Sequence, residues 1–170
     1  ADLRGRVVLL TSQKAQSAAL TSIIAYRFAN GRLDPSFNGG GAVTVTIPAP
    51  AVTSRSGPVA IASDQNGRVI VAGTDDPAKH RQVFAVRLTE NGSIDPSFAS
   101  GVAVNSLDDA AFDVARVTVD AANGNVVVVA NRSVGGGPIA GSEHFPSSAG
   151  IALFRNGPSR LVGTSFGGKG

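Results

Sequence analysis

The residues best suited to chemistry are few. The chain has two histidines, His80 and His144, and no cysteine. Asp75 and Asp76 precede His80, and Glu143 adjoins His144. Imidazoles and carboxylates that converge can move a proton or hold a metal. The two histidines lie 64 residues apart and could meet on one rim if a repeating framework puts them on equivalent loops. On that basis Asp75, Asp76, His80, Glu143 and His144 are the candidate binding residues. No catalytic residue, metal ligand or cofactor is assigned. Gly141-Ser142-Glu143-His144 sets nucleophile and base types side by side in sequence, which is not the spatial arrangement of a triad, and no Gly-x-Ser-x-Gly element occurs. Gly39-Gly40-Gly41, Gly135-Gly136-Gly137 and Gly167-Gly168 lack the following Lys-Ser/Thr of a phosphate loop and read as turns. Without cysteine, disulfides, thiolate nucleophiles and cysteine-ligated zinc are excluded.

Composition narrows the classes further. With 42% apolar and 16% charged residues over 170 positions, the chain can bury a core as one globular domain. Its net charge is +3, but Arg and Lys are scattered singly. A nucleic-acid surface needs clustered cations to displace counterions, so no nucleic-acid partner is expected. No apolar run approaches the roughly 20 residues of a membrane-spanning helix. Methionine is absent and the sequence opens on Ala1-Asp2, which suits a processed, exported protein or an excised fragment. The expected location is periplasmic or extracellular.

The framework that would carry these residues is written as a repeat. Tyr26-Arg27-Phe28-Ala29-Asn30-Gly31-Arg32-Leu33-Asp34-Pro35-Ser36-Phe37 returns as Val86-Arg87-Leu88-Thr89-Glu90-Asn91-Gly92-Ser93-Ile94-Asp95-Pro96-Ser97-Phe98, with Asp34 and Asp95 61 residues apart. A weaker third copy runs through Leu153-Phe154-Arg155-Asn156-Gly157 to Thr164-Ser165-Phe166-Gly167. A second landmark precedes each copy: Gly5-Arg6-Val7-Val8, Asn66-Gly67-Arg68-Val69 and Asn123-Gly124-Asn125-Val126. The approximate repeats are 1–40, 41–100 and 101–170, within a single repeat domain. Strands are expected at Ala42–Ile47, Pro58–Ser63, Arg68–Gly73 and Gln82–Leu88, then at Val102–Asn105, Ala115–Val119, Asn125–Ala130 and Gly150–Phe154. They are short and rich in Val, Ile and Ala. Asn-Gly between apolar runs, as at 30–31, 66–67, 91–92, 123–124 and 156–157, supplies the positive φ of tight hairpins. Val126–Val129, apolar throughout, is expected to be buried on both faces. Asp34 and Asp95 read as turn carboxylates that accept backbone N–H groups, and Phe37 and Phe98 as wedges between sheets.

These landmarks resemble the bacterial delta-60 repeat, over nearly the whole chain. The resemblance implies an all-β fold, a β-propeller or partial propeller of four-stranded antiparallel blades, with about two and a half to three blades here. The first blade is expected to lack its first two strands. Such a stack has open ends, so the expected partner is a second copy or another chain that completes the propeller. The expected function is a non-enzymatic scaffold or binding module. Its recognition loops would be Gln13–Leu20, Thr74–Arg81 and Asn131–Ala149, which diverge on one rim of the repeating frame. The alternative is a propeller hydrolase or lactonase-like enzyme with its site in the central channel. Ala42–Thr46 and Val102–Asn105, read as channel-lining strands, offer such an enzyme almost no ligand-type groups.

Overall fold

The computed structural model describes residues 2, 4–14, 21–47, 57–74, 82–106, 111–133, 149–157 and 163–166. They contain no α-helix and form three antiparallel sheets. In the first, β1 (Val7–Lys14), the two-residue β3 (Arg32–Leu33) and β4 (Ala42–Ile47) all pair with β2 (Thr21–Ala29). The second is a meander of β5 (Gly57–Ser63), β6 (Val69–Thr74), β7 (Gln82–Leu88) and β8 (Val102–Ser106). The third repeats it with β9 (Ala111–Val119), β10 (Val126–Ser133), β11 (Ala149–Phe154) and β12 (Gly163–Phe166).

The sheets are phased differently from the sequence repeat. Ala42–Ile47 and Val102–Asn105, expected to open sheets, close them instead. β4 pairs with β2 from Tyr26↔Ala42 to Thr21↔Ile47, and β8 pairs with β7 from Val86↔Val102 to Gln82↔Ser106. The reason is the Asp-Pro-Ser-Phe turn, which brings the chain back beside the strand it has just left. The first sheet therefore has three long strands rather than two. Thr164-Ser165-Phe166, expected to be a degraded turn, is strand, with Ala149↔Phe166 in its ladder. Between sheets, β5 lies against β9 and β1, β6 against β9, and β7 against β9 and β10.

Alternation along the strands builds the core. Val69, Val71, Phe84, Val86 and Leu88 of the second sheet meet Ala25 and Val45 of the first, with Phe37 packed among them. Its other face, Ile70, Ala72, Val83, Ala85 and Ala103, meets Val117, Val126, Val128, Ala130, Ala152 and Phe154 of the third, with Phe98 among them. A four-stranded sheet cannot shelter both of its own faces, and here its two neighbours do so. Val126 and Val128 are fully buried, but Val127 and Val129 are only half-buried, because no described element covers that side of the third sheet. Among the described residues, no sheet closes on itself.

Candidate functional site

The repeated Arg…Asp-Pro-Ser-Phe segment folds into the same cluster twice. In the first copy, Asp34 sits after the β3 hairpin, and its Oδ1 accepts the Ser36 N–H at 3.0 Å and the Ser36 hydroxyl at 2.7 Å. That leaves Oδ2 for Arg27, whose Nε donates at 2.8 Å. Arg27 Nη2 donates to Ser36 Oγ at 2.8 Å, and its guanidinium lies 4.6 Å over the Phe37 ring. In the second copy, Arg87 Nε donates to Asp95 Oδ2 at 2.8 Å, Nη2 to Ser97 Oγ at 3.1 Å, and the guanidinium lies 4.8 Å over Phe98. The hydroxyl of Ser36, then its N–H and the Arg27 charge, hold the Asp34 carboxyl below the ordinary range despite burial. Burial opposes ionisation of Asp95 more strongly, yet the Ser97 hydrogen bonds and Arg87 outweigh it and lower that pKa too.

Each cluster has one arm left over, and it crosses to the next sheet. Arg27 Nη1 donates to the Glu90 carbonyl in the β7–β8 turn. Arg87 Nη1 donates to Asn156 Oδ1, at 2.7 Å, in the turn after β11. The residue after each wedge adds a main-chain bond across the same seam: Asn38 N–H to Asn91 O at 2.7 Å, and Ala99 N–H to Gly157 O at 3.2 Å. The third sheet breaks the series. Register places Leu153 where the others carry Arg27 and Arg87, since Val127↔Leu153 matches Val8↔Arg27 and Ile70↔Arg87.

A second ladder runs along the same rim. Asp2 Oδ1 accepts the N–H groups of Arg4 and Arg6 at 2.9 Å, and Oδ2 accepts Arg6 Nε at 2.6 Å. Asp64 does the same for Asn66 and Arg68. Arg6 reaches Glu90 of the second sheet, 3.1 Å away, and its guanidinium lies against Gly67. In the third sheet the turn is one residue longer, and Asn125 stands in place of the arginine. An open cleft of about 430 Å³ lies between the Asp64 and Asp120 turns, lined also by Asp2, Arg68, Asn123 and Asn156. Its carboxylates are committed to their own turns, Asp120 through Oδ1 to the Ala122 N–H at 2.9 Å. Among the described residues, no group of three or more His, Asp or Glu side chains could hold a metal.

Asp34, Phe37, Asp95 and Phe98 thus sit at the seams between sheets. Asp75, Asp76, His80, Glu143 and His144 lie outside the described residues, as do most of the three divergent loops. The strand ends from which those loops leave (Lys14 and Thr21, Thr74 and Gln82, Ser133 and Ala149) point away from the Asn-Gly rim in all three sheets. They join the second and third long strands of a full sheet, not its third and fourth. Reading from sequence alone missed the buried arginines Arg27 and Arg87, and also Asp2 and Asp64. The available signal was the recurrence of Asp four residues before Arg, and of Arg seven or eight residues before Asp-Pro. The chain matches no protein-family model and no curated protein.

Proposed function

We propose that this chain is a non-enzymatic scaffold of the delta-60-repeat kind, a run of β-propeller blades completed by another chain or a second copy. The observation that carries this reading is the unequal burial of equivalent faces. The middle sheet is covered on both sides, while no described element covers the outer faces of the first and third sheets, whose centres are apolar, with Val7 44% and Leu9 52% exposed. A terminal repeat that faced water would carry a polar outer surface. In this reading the divergent loops Gln13–Leu20, Thr74–Arg81 and Asn131–Ala149 serve recognition, in a periplasmic or extracellular setting.

Sedimentation equilibrium tests it. The wild-type particle is expected to be heavier than one 17.1 kDa chain, and Leu9→Lys, at an exposed position, should reduce that mass without changing the far-ultraviolet spectrum. A wild-type chain that stays monomeric and free of aggregation at high concentration overturns the proposal.

A further inference from the structure

The two uncovered faces are opposite halves of one kind of interface. Call the side a sheet turns toward its predecessor the leading face, and the other side the trailing face. In the second sheet, the leading pairs are Val69↔Leu88 and Val71↔Val86, and in the third Val126↔Phe154 and Val128↔Ala152. Every one of these residues is buried against the sheet before it. The same register in the first sheet gives Val7↔Phe28 and Leu9↔Tyr26. Here the face is open. A methyl group added to Gly67 or Gly92 would strike Arg6 or Phe37 from the preceding sheet, whereas one added to the matching Gly5 or Gly31 meets nothing within 4 Å. The first sheet thus presents a vacant socket of the type filled twice elsewhere in the chain.

The matching plug is at the other end. The centre of the third sheet's trailing face is Val127↔Leu153 and Val129↔Ile151, all half-buried and apolar, with exposed Thr118 and Arg116 of β9 beside them. With Leu153 and Asn125 replacing the two arginines, this face lacks the two arms that cross the other seams, and the charge it carries is Arg116, exposed on β9 beside Val129. It is neither a polar cap nor an arginine clamp.

We infer that the partner is a second copy of this chain, docked head to tail, with Val127, Val129, Ile151 and Leu153 of each copy seated on Val7, Leu9, Tyr26 and Phe28 of the other. This rests on the scaffold reading above and commits it to one occupant. A head-to-tail contact repeated twice around a two-fold axis closes on itself. Two copies of three sheets make six, inside the range of about four to eight over which radially arranged sheets close.

Complementary variants test the geometry. Leu9→Lys spoils the leading face and Ile151→Lys the trailing face, and each alone should weaken self-association about thirtyfold or more, as loss of a central apolar contact does. Mixed, they retain one intact interface, so affinity-tagged Leu9→Lys should capture untagged Ile151→Lys although neither captures itself. Val129→Lys repeats the trailing arm on a neighbouring strand, and circular dichroism verifies that each variant is folded. An Ile151→Lys or Val129→Lys protein that still forms wild-type dimers overturns the inference, because it means like faces pair. Folded variants that fail to capture one another also overturn it, yet they leave the scaffold reading standing if wild type still associates and Leu9→Lys does not.

Discussion

Arg87 is 1% exposed, and three oxygens hold its buried guanidinium: a carboxylate of Asp95, which balances the charge, the hydroxyl of Ser97 and the amide of Asn156. Removing one ion of a buried pair strands the other, so Asp95→Ala should cost about 3–5 kcal/mol in urea unfolding. Asp120→Ala removes a carboxylate of the same type from an exposed turn hydrogen bond and should cost only about 0.5–1.5 kcal/mol. Equal losses would mean that the seam does not depend on its ion pairs. The pH dependence follows from the direction of the shifts. Asp2, Asp34 and Asp95 all ionise below the ordinary 3.8 in the folded chain. On acidification the unfolded chain takes up protons first, so stability rises with pH across this window. The urea midpoint should hold steady above about pH 5 and fall as pH drops through 3.8 toward the lower native values. Asp34→Asn with Asp95→Asn should flatten that acid limb, and an unchanged limb in the double variant would assign it to other groups.

At the level of elements, the hairpin turns do two jobs, and glycine separates them. Gly92 and Gly31 both have positive φ, 89° and 74°, so alanine is strained at either by about 1–2 kcal/mol. Only at Gly92 would the new methyl also stand 3.2 Å from the Asn38 nitrogen and the Phe37 ring, at the seam between first and second sheets. Gly92→Ala should therefore lower the thermal midpoint clearly more than Gly31→Ala. Similar midpoints would show that the seam yields easily. The strands themselves were readable from sequence, since Val-rich runs between Asn-Gly turns have a single local solution. The sheet to which β4 and β8 belong was not, because that choice depends on how Asp34 and Asp95 tie down the turn, which spacing does not record. Arg27 and Arg87 read as ordinary polar positions in a strand. Their burial became visible only when Asp34, Ser36 and the neighbouring sheet's turn were seen to converge on them.

At the scale of the whole molecule, the repeat predicted that sheets must cover one another, and the covered middle sheet agrees. Which faces would stay open was not legible, because sequence likeness makes the third repeat look like the others until register puts Leu153 in the place of arginine. In the proposed dimer, that replacement sets the character of the contact between copies. The seams inside the chain are held by Arg6, Arg27 and Arg87, whereas the face ending in Leu153 offers Val127, Val129, Ile151 and Leu153 at its centre, with Arg116 beside them on β9. Burial of apolar surface is little affected by screening, while surface ion pairs separated by more than the screening length, about 3 Å at 1 M salt, are largely suppressed. It also weakens on cooling, because its driving force near room temperature is entropic. Self-association measured by sedimentation should therefore survive a rise from dilute buffer to about 1 M sodium chloride and loosen as the sample is cooled. Dissociation by salt with no response to cooling would place charged residues at the contact and move it away from Leu9 and Ile151.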